Sequence, residues 1–278
     1  MQKSRNRGLI ILLAAALPTL ILIIWSVVSA LRLVPEYLIP APWTLAQAMF
    51  VLIFGGNTGN YQRLYSGTFH LHALATLGRV GTGFALAVLI GIPAGVASGR
   101  NNLVATAIDP LVQAFRAVPG IAWLPLAMLW FGVGNQLAIF LIGLAAFFPV
   151  YLNTLHGMRA VPEHWLEAAR MLGASRWQVA TRVLLPAAMP AIETGVRMAL
   201  GVSCAYVVLG ESNGVTYGLG ALIMDSRNLG GATLMLVGML CMALFGCALD
   251  WCLMRLLRFV PGHRPATRQP SAVNGARA

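Results

Sequence analysis

Six stretches of this chain are too long and too apolar to be left in water: 8–31, 73–98, 112–131, 137–155, 187–210 and 232–257. Each is close to the about 20 residues that a helix needs to cross a hydrocarbon layer about 30 Å thick. None shows the ten-residue alternation of a barrel strand, so helices must satisfy the backbone in lipid. The expected fold is therefore an all-α membrane protein with six transmembrane helices. Only 10% of the residues are charged and mean hydropathy is +0.76, against about 25% charged in a soluble domain. The third and fourth windows are joined by Gly132-Val133-Gly134-Asn135-Gln136, which predicts a tight helical hairpin.

A net charge of +11 would suit nucleic acid if it were gathered on one face. It alternates with the windows instead. With the N-terminus inside, Lys3, Arg5, Arg7, Arg100, Arg116, Arg159, Arg170, Arg176, Arg182, Arg255, Arg258, Arg264, Arg268 and Arg277 share one side, while Arg32, Arg63 and Arg227 lie on the other. This positive-inside bias predicts both termini in the cytoplasm and contact with membrane lipids, not nucleic acid. The first window follows three bases and ends near Val28-Ser29-Ala30, as a signal peptide can. Its apolar run exceeds the 7–15 residues typical of a signal core, so an uncleaved first helix is expected.

Residues 1–31 read as the N-terminus and first helix, 32–72 as an external loop with a short interfacial helix over 43–54, and 73–257 as a five-helix core. The tail 258–278, rich in Pro, Arg and Ala, reads as a disordered basic cytoplasmic segment. Cys204, Cys241, Cys247 and Cys252 lack metal spacing and read as apolar fillers. His70 and His72 lack a third ligand, so no metal site is expected. Two windows carry small residues at every fourth position: Gly83, Ala87, Gly91, Gly95 and Gly99, then Ala187, Ala191, Gly195, Ala199 and Ser203. Such stripes let helix backbones approach closely in lipid. They read as ordinary packing or, more sharply, as central helices that shift against their neighbours as the protein works. Pro93, Pro149 and Pro190 offer bending points.

The polar interruption 156–186 reads as two short helices at an angle. Pro162 suits a first helical turn. Glu163 and Glu167 fall where the dipole favours anions, and Arg170 where it favours cations. Gly173 can take the left-handed conformation that stops the first helix. Ser175-Arg176-Trp177-Gln178 has capping-box spacing for the second, and Pro186 leads into the fifth window. Trp165, Leu172 and Leu184 can anchor the loop. The residues alone fit either docking onto a partner or lying on the inner leaflet.

Glu167-Ala168-Ala169, three residues, Gly173, nine residues and Val183-Leu184-Leu185-Pro186 together resemble the EAA loop of binding-protein-dependent ABC importer permeases. Val183 stands where isoleucine is usual. Leu38-Ile39-Pro40-Ala41-Pro42, Ala75-Thr76-Leu77-Gly78-Arg79-Val80, Leu124 to Gly132, Phe147 to Thr154 and Gly218-Leu219-Gly220 are similar to segments of the nitrate/sulfonate/taurine branch. The resemblance covers roughly residues 38–258.

The resemblance implies the type I importer permease fold in a bacterial inner membrane. It further implies docking of two ATP-binding cassette subunits on Glu167, Ala168, Ala169, Gly173, Leu185 and Pro186. An extracytoplasmic solute-binding protein and a second permease chain, as a homodimer, would complete the transporter. ATP and magnesium would belong to the ATPase partners: this chain carries no G-x-x-x-x-G-K-[ST] motif, and neither a cofactor nor catalytic work is expected of it. The Phe147 to Thr154 segment, continued by His156 to Arg159, looks closest to aliphatic-sulfonate permeases. Taurine, nitrate and pyrimidine-type thiamine precursors stay open as solutes. Arg79 and Arg197 lie within or near apolar windows and are candidates for the pathway. The alternatives are a structural arginine at helix ends, or for Arg197 a partner in Glu193.

Two other classes compete. An ion-coupled secondary transporter would need midplane carboxylates, for which only Asp109, Glu193, Glu211 and Asp250 are at hand. A membrane enzyme would need paired acids, a histidine cluster or a nucleophile with its base, and no such constellation is present.

Overall fold

The computed structural model describes residues 2–56 and 65–259, with side chains of the first helix described from Ala16 onward. The described residues are helical and joined by short turns. In chain order the helices are α1 (Gln2–Ala30), α2 (Pro42–Phe54), α3 (Phe69–Arg100), α4 (Asn102–Ala117), α5 (Leu124–Phe131), α6 (Asn135–Arg159), α7 (Glu163–Met171), α8 (Arg176–Val179), α9 (Leu185–Glu211), α10 (Leu219–Asn228) and α11 (Ala232–Leu257).

Among the described residues four helices are long and apolar enough to cross a membrane: Phe69–Arg100, Asn135–Arg159, Arg176–Glu211 and Ala232–Leu257. The third window departs from the expected straight span. Its residues divide between α4 and the segment Gly120–Phe131, which meet at 93° and make one broken span at most. Pro119 sits at the break. The residue before a proline is pushed out of the helical region, and Val118 is extended there with ψ 121. The first window lies in α1, whose described side chains cover the shorter apolar stretch Ala16–Ala30. The expected hairpin is present only in its second half: α5, the part of the third window after the break, ends before Gly132 and α6 starts after Gly134, both glycines at positive φ. The tail beyond Phe259 and most of the glycine-asparagine loop lie outside the described residues.

The chain divides into two units. The first comprises Met1–Leu77 and Gly214–Leu244. Here α2 begins at Pro42, whose missing N–H costs nothing in a first turn, and it buries Leu45, Ala48, Val51 and Leu52. The Trp25 indole donates to the Pro40 carbonyl at 3.2 Å. The start of α3 holds the start of α10: Leu219 N–H donates to Thr76 Oγ1 at 2.8 Å, and Gly218 N–H to His72 Nδ1 at 3.1 Å. His72 thus ties two helices together from a buried position. Tyr65 and Tyr217 pack against its ring. Burial pushes the Tyr65 phenol up, and the Asp225 carboxylate adds to that shift.

The second unit comprises Gly78–Asn213 and Phe245–Ala278. Its core is built around α6, which buries Leu137, Ala138, Leu141, Ile142, Ala145, Ala146, Val150 and Tyr151 among others. The two small-residue stripes converge on this helix rather than on each other. From α3, Gly91 abuts Val150, Gly95 abuts Thr154 and Gly99 abuts Met158; from α9, Gly195 abuts Asn153. Close approach of backbones takes the place of the hydrophobic drive that lipid does not supply. Near the far end of α9 a Cβ added at Gly210 would lie 2.6 Å from Ala138 Cα, against backbone that cannot turn aside. Gly210→Leu should therefore cost about 1–3 kcal/mol by overpacking, read as a lower Tm in detergent. Gly201, with nothing within 4 Å of an added Cβ, is the matched control.

Between α8 and α9 the helix widens into a π turn, Ala180–Leu184, with Leu185 N–H bonded to the Ala180 carbonyl. Pro186 gives a physical reason. In an ordinary helix its ring would press on the carbonyl four residues back, that of Arg182. The wider turn gives that carbonyl room, and the helix continues into α9.

Candidate functional site

The loop between α6 and α9 has the two-helix form expected of it. Helix α7 begins after Pro162, which occupies the N-cap rather than the first helical position. It ends in a Schellman motif. Leu172 is the C-cap, Gly173 follows at φ 81, Ala174 N–H bonds to the Ala169 carbonyl at 3.1 Å and Gly173 N–H to the Arg170 carbonyl at 2.9 Å. Only glycine takes that φ without strain, so Gly173 sets the turn between α7 and α8. The capping box is complete: Gln178 N–H donates to Ser175 Oγ at 3.3 Å and Ser175 N–H to Gln178 Oε1 at 2.8 Å.

The loop's anchors differ in part from those expected. Leu166, Val179 and Leu184 are buried in the core around α6, while Leu172 is 88% exposed and Trp165 50%. Met171 and Trp177 are exposed too. On the free face of α7 stand Glu167 and Ala168, with Ala169 half-buried; Leu185 and Pro186 are half-buried at the root of α9. The loop therefore presents a capped, rigid knob with small residues on its flank and large apolar residues at its tip. Exposed apolar groups gathered on one protrusion mark a surface for another molecule. Behind the knob lies a cavity of about 780 Å³, lined on the α3 side by Arg100 and on the loop side by Arg170, Arg176 and Trp177.

Ion pairs among the described residues join helices at three places. Arg79 Nη1 donates to Glu211 Oε1 at 2.6 Å and Arg79 Nε to Asn135 Oδ1 at 2.8 Å, tying α3 to the end of α9 and the start of α6. The pair is closed off: the side chains are 8% and 0% exposed. Arg197 makes the second pair, with Asp250 of α11. It is bidentate, Nε to Oδ1 and Nη2 to Oδ2 both at 2.8 Å, and open, at 53% and 39% exposure. The third joins Arg159 to Asp109 at 3.1 Å. Tyr151, buried in α6, donates to the same carboxylate, and its phenol oxygen is also within hydrogen-bond reach of the Ser98 hydroxyl at 2.9 Å.

Sequence reading picked out the two arginines and missed their partners. The signal was available only as arithmetic, because each of the two bases had a carboxylate inside or just past another window and no spacing rule says which.

A family model described as "Binding-protein-dependent transport system inner membrane component" matches residues 87–260. The taurine transport system permease protein TauC of Escherichia coli is 34% identical over 244 residues, covering 87% of this chain and 86% of that protein. The putative aliphatic sulfonates transport permease protein SsuC of Bacillus subtilis is 34% identical over 230 residues, 83% of this chain and 79% of that one. Among solved structures, a chain of the inward-facing MetNI methionine ABC transporter superposes with a TM-score of 0.59 at 21% identity, over 68% of this chain and 94% of that one. That likeness is one of fold, the type I importer permease fold.

Proposed function

From the premise that this chain belongs to the family of binding-protein-dependent transport system inner membrane components, in its nitrate, sulfonate and taurine branch, we propose that it is the pathway-forming permease of an ATP-driven importer for aliphatic sulfonates. Taurine and nitrate are the next candidates. The two relatives described above are named for taurine and for aliphatic sulfonates, solutes that share a sulfonate group.

The observation that carries the coupling part is the knob itself. Glu167, Ala168 and Ala169 lie on a helix fixed at both ends, at Pro162 and at Gly173. Leu185 and Pro186 join that knob to α9. A groove on an ATPase subunit would take α7, and its movement on ATP closure would pass through the π turn into the span. ATP and magnesium are bound and hydrolysed in two such subunits, and this chain supplies no catalytic group. A solute-binding protein delivers the solute on the opposite face, and a second copy of the chain completes the pathway. The bases at the loop end then face the cytoplasm, with both termini on that side. We assign Arg79 to holding helices together, because its charge is spent on Glu211 inside the protein, and leave Arg197 as the pathway candidate.

The test is energisation. The permease reconstituted with its co-purified ATPase and the binding protein should import labelled ethanesulfonate only with internal ATP. Uptake driven by a pH gradient without ATP would instead support an ion-coupled secondary transporter.

A further inference from the structure

We propose that the Arg197–Asp250 pair is an oxyanion-binding position in the translocation pathway, where the Asp250 carboxylate holds the place of the solute's anionic group until that group displaces it. The inference rests on the importer reading and adds to it a site and a chemical class of ligand.

Depth comes first. Arg197 lies twelve residues past Leu185, about 18 Å along α9, and Asp250 lies seven residues before Leu257, about 10 Å from that end of α11. Both are well inside helices long and apolar enough to cross a membrane. Exposure comes second. Charges that far into a span are costly against lipid and face a protein interior or water. Arg79 and Glu211 obey the rule by being closed off, whereas Arg197 and Asp250 are half-open. That leaves their face to water or to another protein surface, and the cavity beside the pair favours water.

Shape comes third. A cavity of about 450 Å³ opens at the pair, lined by Thr194, Met198, Gly201, Cys204 and Gly246. A Cβ on Gly201 would meet nothing within 4 Å, and one on Gly246 only Cys204 at 3.7 Å, so the room beside the guanidinium is real. The chemistry follows from the bidentate bond. The guanidinium fork is matched to two coplanar oxygens bearing one delocalised charge. Asp250 supplies such a pair at 2.8 Å on each side. A sulfonate or nitrate presents the same two oxygens. Exchange leaves Arg197 with a counter-ion at every stage, and the displaced Asp250 turns to water. Return of Asp250 then expels the solute, so the position holds an anion without trapping it.

The test uses the complete transporter in proteoliposomes, with radiolabelled ethanesulfonate, taurine and nitrate as probes. Import of any of them by the wild type bears on the importer reading. Import of none overturns the subsite together with that reading. With a transported probe in hand, Asp250→Asn should lower KM about tenfold and lower the maximal rate as well, because nothing then displaces the bound anion. The double variant Arg197→Gln with Asp250→Asn keeps a neutral hydrogen-bonded pair. It should assemble and bind the ATPase normally, yet lose at least about thirtyfold in kcat/KM. Wild-type transport by the assembled double variant would show that the pair is only structural and overturn the subsite alone. If the double variant does not assemble, labelling decides, since it leaves the pair intact. Thr194→Cys should react with 2-sulfonatoethyl methanethiosulfonate, read by mass at that position, and the probe anion should slow the reaction. No reaction, or a rate indifferent to the anion, places this face against lipid or a second copy and overturns the proposal.

Discussion

Arg79→Met should destabilise the protein by about 3–5 kcal/mol, because it leaves the Glu211 carboxylate buried without its cation. The Glu211 side chain is fully enclosed and cannot turn to water. Asn135, which now accepts from Arg79 Nε, would lose that donor as well. The double variant Arg79→Met with Glu211→Met should recover most of the loss, since a buried ion pair replaced by well-packed apolar groups is often neutral or stabilising. Thermal unfolding in detergent of the wild type, the single variant and the double variant reads the cycle. Equal Tm values for the wild type and the single variant would mean that the pair holds nothing together. The same cycle at Arg197 and Asp250 should be shallow in stability, because that pair is half-open. The two intramembrane arginines thus separate by experiment, one showing in Tm and the other in transport.

Glu167→Arg should abolish capture of the ATPase while leaving the permease folded. The carboxylate stands exposed on the free face of α7, so its loss costs the fold within about 0.5 kcal/mol, as for most surface changes. In a docked groove, reversal of that charge faces whatever base or donor met the carboxylate. Truncating one member of a buried interfacial charge pair costs about 2–5 kcal/mol, and reversal adds repulsion. At about 1.4 kcal/mol per tenfold, affinity falls by tens to thousands of times. Purification of the tagged permease from membranes, wild type beside variant, reads the bound ATPase directly. An unchanged yield with Glu167→Arg would remove the coupling role proposed for this loop. Leu172→Ala is an independent arm: a tip residue 88% exposed should weaken capture and leave Tm unchanged.

What could be read in advance followed from local physics. Helix existence and position came from apolar length. The turn at Gly173 and the cap at Ser175 came from residues whose backbone or side chain permits little else, and both are present. The stripes of small residues predicted close helix contacts, but which helix they meet is a tertiary fact. Both meet α6, whose own sequence carries no such stripe. The break at Pro119 was read through because apolar content on either side was continuous, while backbone geometry decided the angle of 93°. The anchors of the loop were mistaken where size was taken for burial. Leu172 is as large as Leu166, and only the helical register places Leu166 inside. The pairing of Arg197 with Asp250 across two helices lay beyond any rule of spacing.

The π turn at Ala180–Leu184 holds one residue more than an ordinary turn would need to cover the same rise. It is thus the place in the 36-residue helix Arg176–Glu211 where chain length and helix length are out of step by one. Removing a single residue there is absorbed by closing to an ordinary turn, with α7 and α9 keeping their faces, provided that Pro186, whose ring needs the wider turn, is replaced as well. Removing one anywhere from Pro190 to Gly210 would turn everything beyond it by about 100° and carry the face that abuts α6 off its partner. In a lineage under pressure to change the pitch between knob and span, this turn is where a codon can be gained or lost without rebuilding the membrane domain.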